Sequence, residues 1–299
     1  MINDVKKVLN RRYNILVDFS PVYDFLVETF SHETLNSCLI PQGFEYAHHL
    51  LWFDYIRSHR MGIWEDNGVI VGLCAFEMGI GSAHLHVRKS YEFLLPELCD
   101  WAEQEIAIIE DGQRSIKIWI TDTESHKRDL LVERGYELEG KHAVSIFDYE
   151  KPFLERPLPE GFKIIDGYEV DFDKLGKCFW YGFNNKDKPA DNIGDANQKT
   201  ALAPHGDLSL ITVVVAPNDY YACALGMWYD DVNKYAYLEP MATIPKYRRM
   251  GLGTIALMEA MKKTKALGAT YCFGGPVMEF YPKIGFEVIC HYEVWKKMF

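Results

Sequence analysis

The second half of the chain alternates between two hydrophobic patterns. Apolar-rich runs at Phe162 to Asp166, Leu210 to Val215, Tyr220 to Tyr229 and Lys234 to Thr243 predict strands. The turn signals Pro217-Asn218-Asp219 and Asp230-Asp231-Val232-Asn233 separate the last three, which predicts an antiparallel meander. Leu175, Phe179 and Phe183 recur at helical spacing and predict a helix over Phe172 to Phe183. A second helix is expected from Leu252 to Leu267, closed by Gly268 as its C-terminal cap. A buried strand (Thr270 to Phe273), a short helix near Met278 to Lys283 and two last strands complete this half. The polar stretch Asn184 to Asp207 is too long for a plain connection and is expected to be a lid or binding loop.

The first half repeats that order more loosely. Helices are expected at Val22 to Phe30 and Phe44 to Arg60, then a hairpin, Gly62 to Trp64 and Val69 to Phe76, turning at Asp66-Asn67-Gly68. A strand (Ala83 to Val87), a helix (Tyr91 to Ile106), a strand (Ser115 to Thr121), a helix (Ser125 to Arg134), Gly135-Tyr136 and a strand (Ala143 to Tyr149) follow. Hairpin, strand, helix, strand, helix, Gly-aromatic and strand thus occur twice, the mark of a tandem duplication. The segment Lys151 to Gly161, with three prolines (Pro152, Pro157 and Pro159) and a glycine, is the expected linker, giving domains 1–155 and 156–299.

Composition narrows the setting. A length of 299 residues suits two domains of about 150 residues. No apolar run reaches the roughly 20 residues of a membrane span, and Met1 to Arg12 is too polar for a secretory signal. Seven scattered cysteines without a C-x-x-C pair predict reduced, buried thiols in a cytoplasmic protein. Residues 1–155 carry 15 Lys+Arg against 26 Asp+Glu, whereas residues 156–299 carry 17 of each, so the net charge of -11 belongs to the first half. That excess disfavours nucleic acid and anionic membranes as partners. It suits either solubility or a cationic substrate.

The chemistry concentrates in Thr243 to Gly253. A strand ends before Pro245, crosses Lys246, Arg248 and Arg249, and enters a helix through Gly251 and Gly253. A helix N-terminus offers unpaired amides and the positive end of its dipole, which favour phosphate, and glycines let the ligand approach. The Lys-Ser/Thr pair of a Walker loop is missing. The preceding meander does not fit a dinucleotide-binding β-α-β unit.

Arg248-x-x-Gly251-x-Gly253, after a strand and before an amphipathic helix, resembles the pyrophosphate-binding motif of the GNAT superfamily of N-acetyltransferases. A second signature of that family is matched by Phe280-Tyr281-Pro282-Lys283-Ile284-Gly285-Phe286. The resemblance covers roughly Leu158 to Phe299, and the first half resembles a degenerate copy. It implies an α+β (mixed α/β) fold of two tandem GNAT-like domains, each a mostly antiparallel mixed sheet flanked by helices. It implies acetyl-CoA as cosubstrate and no metal.

By the same resemblance, the amides of Arg249, Met250, Gly251, Leu252, Gly253 and Thr254 would hold the pyrophosphate, beside Arg248. The backbone of Met241 and Thr243 would pair with the pantetheine arm as though it were an added strand, and an amide near Met241 or Ala242 would polarise the thioester carbonyl. Pro240 within a strand signals an interrupted ladder, where the family has a bulge. Glu239 is the candidate base for a protonated amine, against an ion-paired surface glutamate; Tyr281 is the candidate acid for the departing thiolate, against a core aromatic. Some members carry an asparagine where this chain has Gly274-Gly275-Pro276.

In the first half the corresponding turn, Val87 to Phe93, has no glycine, and Gly135-Tyr136 lacks the tyrosine of the second signature, so no coenzyme is expected there. His84-x-His86 is a metal pair only with a third ligand, and His48-His49 is expected at the surface. Phe179, Trp180, Tyr181 and Phe183 are expected in the helix core, with Trp180 or Tyr181 a candidate to face an acceptor cleft, and Asp187, Asp191 and Asp195 are candidates for binding a cation, against a solvated loop. The leading expectation is an N-acetyltransferase acting by direct attack in a ternary complex. Its acceptor is a primary amine of a small molecule or peptide, with aminoglycoside-like compounds and polyamines as candidates. The alternatives are a non-catalytic acyl-CoA-binding module, or another acyl donor or an O-linked acceptor. Monomer and homodimer are both open.

Overall fold

The computed structural model describes residues 8–274 and 279–299. The chain forms two compact units. The first comprises residues up to His48, Trp52–Ala143 and Cys290–Phe299; the second comprises His49–Leu51 and Val144–Ile289. This division differs from the expected boundary at 155/156. The Lys151 to Gly161 segment lies wholly inside the second unit.

The first unit runs β1 (Val8–Arg12), α1 (Ile15–Glu28), α2 (Pro41–His48), β2 (Gly62–Asp66), β3 (Val69–Ala75), β4 (Ser82–Val87), α3 (Leu95–Trp101), β5 (Ile108–Glu110), β6 (Gln113–Thr121) and α4 (Ser125–Glu133). Asn14 caps α1 by accepting from the Leu16 amide, so this helix begins earlier than the apolar pattern implied. The helix expected over Phe44 to Arg60 is two pieces, α2 and a 3₁₀ segment over Tyr55–Arg60 capped by Asp54. The hairpin turns at Asn67 and Gly68, both with positive φ, as a tight turn needs. β1–β2–β3–β4 pair antiparallel, and β4 then pairs parallel with β6. The core beneath them is built on Trp64, Phe44, Phe25, Phe76 and Met61.

β7 (Glu137–Asp148) leads into the second unit, followed by β8 (Lys163–Asp166), α5 (Phe172–Gly182), α6 (Ile193–Ala201), β9 (Thr212–Val215), β10 (Tyr221–Asp230), β11 (Tyr235–Thr243), α7 (Leu252–Leu267), β12 (Tyr271–Gly274), α8 (Phe280–Lys283) and β13 (Glu287–Met298). β8–β9–β10–β11 pair antiparallel, and β11 pairs parallel with β12, which repeats the first unit's pattern. Each unit then completes its sheet with a strand from the other half of the sequence. The end of β7 pairs antiparallel with β12 in the second unit, and the end of β13 pairs antiparallel with β6 in the first. This exchange is why the boundary does not fall at the proline-rich segment. It also makes one twelve-residue strand, β13, of the two strands expected at the end.

The expected loop over Asn184 to Asp207 contains α6. Its helical signal is faint because the contact with α5 is made through small residues: a side chain at Gly176 would lie 2.8 Å from Ile193 Cγ1. At the other end of α5, the backbone of Gly182 lies so close to β11 that an added Cβ would stand 2.5 Å from the Ala242 Cβ. All seven cysteines are free thiols.

Gly182→Ala must therefore push α5 away from the strand at Ala242. Urea denaturation should show a loss of about 1–3 kcal/mol for such overpacking, more than the roughly 0.5–1 kcal/mol that alanine gains over glycine in a helix. An unchanged or raised midpoint would show that α5 and β11 separate freely.

Candidate functional site

In the second unit, among the described residues, β11 and β12 run side by side from Tyr235 to Tyr237, opposite Tyr271 to Phe273. Beyond Tyr237, β11 continues to Thr243 paired with β10. Among the described residues the parallel ladder goes no further, so one edge of β11 over Leu238–Thr243 lies outside it. The ladder with β10 is interrupted along that stretch: Leu225 faces Met241 and Met227 faces Leu238. Glu239 and Pro240 thus oppose Gly226 alone, two residues against one, which is a β-bulge. Only glycine fits opposite it, because a Cβ at Gly226 would lie 2.9 Å from the Glu239 carbonyl oxygen. The Trp228 indole N–H donates to that same oxygen at 2.9 Å and fixes the bulge. Glu239, half-buried, sits on the bulge.

β11 ends in a 3₁₀ turn, Pro245–Tyr247, and the chain enters α7 through Arg248 to Gly251. Arg249 and Gly251 have φ of 65° and 81°, so the chain curls twice through the left-handed region. Such curls make a concave row of amides suited to an anion, and Gly251 adopts the conformation without the cost a side chain brings. α7 has sixteen residues and no side-chain cap at its N-terminus. Its first backbone bond of the N-cap type runs from the Ile255 amide to the Gly251 carbonyl. The amides of Leu252, Gly253 and Thr254 precede that bond and lack intrahelical acceptors.

The turn touches both other candidate regions. A Cβ at Gly253 would lie 3.0 Å from Met241 Cε and 3.6 Å from both Thr243 Oγ1 and Phe280 Cζ. The end of β11, the start of α7 and α8 therefore converge around Gly253. Tyr281, on α8, is buried, its ring 5.2 Å from those of Phe280 and Phe286. The residues expected from Met241 to Thr254 are thus brought together, with Glu239 two positions before Met241 and Tyr281 beside Phe280. Gly275 and Pro276, in the expected asparagine position, lie outside the described residues, as does Met278.

Arg248 is engaged differently from the other basic residues. Its Nε donates to the Thr243 carbonyl at 3.0 Å and its Nη2 to the Gly182 carbonyl at 2.7 Å. The guanidinium thus ties the end of α5 to the end of β11 and shapes the turn. Beside it, the Thr243 hydroxyl donates to the Cys223 sulfur at 3.2 Å, and burial pushes the Cys223 thiol up to about 11. Trp228, Phe280 and Gly182 were not legible as site residues, because each acts through a partner distant in sequence. In the acceptor-side segment, Trp180 donates to the Asp187 carbonyl at 2.6 Å, while Tyr181 is exposed. Asp191 pairs with Lys188 at 2.8 Å on a solvated stretch. The three aspartates Asp187, Asp191 and Asp195 are all exposed.

The equivalent place in the first unit is built otherwise. β4 pairs with β6 only over Ser82–His84, so Leu85 corresponds to Leu238 and His86 to Glu239. β3 and β4 pair without a bulge, His86 facing Leu73. Past the end of the parallel pairing, the Lys127 ammonium reaches from α4 to the Leu85 carbonyl at 2.7 Å. Lys127 also pairs with Glu124 at 2.7 Å, both side chains below a tenth exposed. Glu124 in turn accepts from the Thr121 amide at 2.9 Å. Arg88, in the turn after β4, donates to the Ile70 carbonyl and pairs with Glu28. The His84 ring stacks on Trp119, and buried His86 is pushed well below the usual histidine range, first by burial and then by Lys127 and His84. Among the described residues no group of three or more His, Cys, Asp or Glu side chains could hold a metal. His48, expected at the surface, is instead buried between Phe44 and Phe53, its Nδ1 2.7 Å from the Phe44 carbonyl.

Residues 178–286 match the model of the Acetyltransferase (GNAT) family. A GCN5-related N-acetyltransferase from Sphaerobacter thermophilus is similar in fold, with a TM-score of 0.60 at 12% identity, covering 97% of this chain and 95% of that one. So is a tandem GNAT protein from the clavulanic acid biosynthesis pathway, with a TM-score of 0.62 at 10% identity and 98% of each chain covered. A GNAT-family acetyltransferase from Colwellia psychrerythraea gives 0.58 at 12% identity, over 96% of this chain and 98% of that one. At these identities the likeness is one of fold. No curated protein matches the sequence. No helix among the described residues is long and apolar enough to cross a membrane.

The buried ion pair of the first unit has a measurable consequence. Lys127→Met strands the Glu124 carboxylate and should cost about 3 kcal/mol or more in urea denaturation. The double variant Glu124→Gln/Lys127→Met should recover much of that loss. A single variant within about 0.5 kcal/mol of the parent, the range of ordinary surface changes, would show that water reaches the pair.

Proposed function

We propose, from the match of residues 178–286 to the Acetyltransferase (GNAT) family, that the chain moves an acetyl group from acetyl-CoA to a primary amine of a small molecule or peptide, by direct attack in a ternary complex. The observation that carries this reading is the edge of β11 left outside the parallel ladder beyond Tyr237, ending beside the α7 amides. Each part has a chemical task. The amides from Arg249 to Thr254 receive the pyrophosphate, helped by a helix dipole of roughly half a charge. Pantetheine lies along Met241, Ala242 and Thr243 and pairs with backbone as an added strand would. The thioester then lies near the bulge, where an amide near Met241 or Ala242 stabilises the developing oxyanion.

An alkyl amine has a pKa of roughly 10 and arrives protonated. Glu239, on the bulge, takes that proton directly or through a water. The neutral amine attacks the thioester carbonyl, the C–N bond forms, and the C–S bond breaks as the tetrahedral intermediate collapses. Tyr281 gives its proton to the departing thiolate and recovers one, directly or through water, from the nitrogen that becomes the amide, so the net proton released is the one taken by Glu239. Direct attack is favoured over an acyl-cysteine route because Cys223, at the end of the site, is protonated at neutral pH. The first unit has Lys127 on its Leu85 carbonyl, where the second leaves strand edge for pantetheine, and it lacks the glycine turn. One coenzyme per chain follows from that contrast, with a non-catalytic role for residues of the first unit.

Acetylation of a panel of amines, followed by thiol release, tests the reading directly. Glu239→Gln should lower kcat/KM about a hundredfold near neutral pH, and the deficit should shrink toward pH 10 as the amine loses its own proton. A pH profile parallel to the parent's would remove Glu239 as base. Tyr281→Phe should lower kcat by about tenfold or more while leaving acetyl-CoA affinity unchanged. Tight coenzyme binding with no transfer to any amine or alcohol would instead favour a non-catalytic acyl-CoA-binding module.

A further inference from the structure

The segment expected to be a linker is anchored within the second unit. Phe153 packs its ring against Phe147 and Tyr149, at centroid distances of 5.5 and 5.4 Å, and Lys265 near the end of α7 lies 5.2 Å above it. Leu158 and Phe162 join the same core further along. Between these anchors Arg156 is delivered to the opposite end of α7. A Cβ added at Gly251, the N-cap residue, would lie 3.5 Å from Arg156 Nη1 and 3.6 Å from its Cδ. The side chain thus lies over the one residue of the turn that has left-handed φ and no side chain of its own. Arg156 is exposed and makes no hydrogen bond or ion pair among the described residues. Arg248, by contrast, is committed to two carbonyls, and Lys246 lies over the Tyr247 ring at 5.4 Å.

We propose that Arg156 is a coenzyme-binding residue: its guanidinium closes over the pyrophosphate held on the Arg249–Thr254 amides and supplies the charge-assisted donors that Arg248 does not. The assignment rests on the coenzyme reading of this turn. Three features of the placement support it. Anchors on both sides hold the segment, so little chain freedom is lost when the ligand binds. A planar guanidinium suits paired phosphate oxygens better than a point charge does. Glycine at position 251 puts no side chain between guanidinium and turn, where a Cβ would already stand in van der Waals contact with Arg156.

The test is calorimetric titration of the full chain with CoA, dephospho-CoA and pantetheine. Arg156→Ala should weaken CoA and dephospho-CoA by the same factor, about tenfold, on the scale of one charge-assisted hydrogen bond. Pantetheine, which has no pyrophosphate, should bind both proteins alike. Arg156→Lys should restore part of the affinity, and Lys199→Gln on exposed α6 should leave all three unchanged, which separates local contact from loss of one positive charge. Unaltered CoA binding by Arg156→Ala would overturn the assignment while leaving the coenzyme reading intact. So would a loss confined to CoA, since that would put the arginine on the 3′-phosphate. A parent chain that binds no CoA would overturn both.

Discussion

The site depends on a strand that gives up one of its two neighbours partway along its length. β11 is paired with β10 to its end, but among the described residues its parallel ladder with β12 reaches no further than Tyr237. A strand edge of that kind normally invites aggregation or must be covered. Here the edge is short, carries a proline and is distorted by a bulge. Gly226 and Trp228 on β10 make the bulge possible, one by having no Cβ and the other by donating to the Glu239 carbonyl. The next strand-to-helix turn then places orphan amides at the far end of the same edge. Backbone donors and acceptors therefore line a continuous path, and the fold provides it before any side chain is chosen.

The first unit shows what happens when the same architecture keeps its edge to itself. The parting of β4 from β6 is preserved, yet the carbonyl of Leu85 is taken by Lys127 and the bulge is missing. Lys127 is balanced by Glu124, which is itself held by the Thr121 amide. A buried ion pair of this kind contributes little net stability over a well-packed apolar pair, but removing one partner is costly. The geometry of a ligand notch thus persists while its polar groups are satisfied internally. On the proposed reading, that is a physical route by which a domain keeps this architecture without holding coenzyme.

Much of this was legible in the sequence, and the pattern of what was not is informative. The meander, the span of α7 and the Gly268 cap were written in local periodicity and turn chemistry, which need no tertiary context. The glycine turn could be read because Gly251 and Gly253 are adjacent to the helix they open. The exchange of β7 and β13 could not, since both strands have ordinary apolar patterns and nothing local says which sheet they enter. α6 was hidden because it packs through Gly176 and Gly194 and needs few large apolar residues. Arg248 was grouped with the phosphate-facing residues because its charge is visible in sequence and its two carbonyl partners are not.

The same distinction bears on Cys223. In sequence it is one of seven scattered cysteines, with nothing to separate it from the rest. In the fold it faces Thr243 across the β10–β11 ladder, next to the proposed path of pantetheine. A thiol so placed could in principle compete for the acyl group. Its environment argues against that: burial raises its pKa to about 11, and the Thr243 hydroxyl bond offsets only part of the rise. At neutral pH the thiol is therefore held in its protonated form. A neutral, buried sulfur is a poor nucleophile and a good packing atom. Desolvation, which elsewhere in an acyl-transfer site strengthens the oxyanion contact, here keeps the Cys223 thiol silent, in keeping with the proposed direct attack.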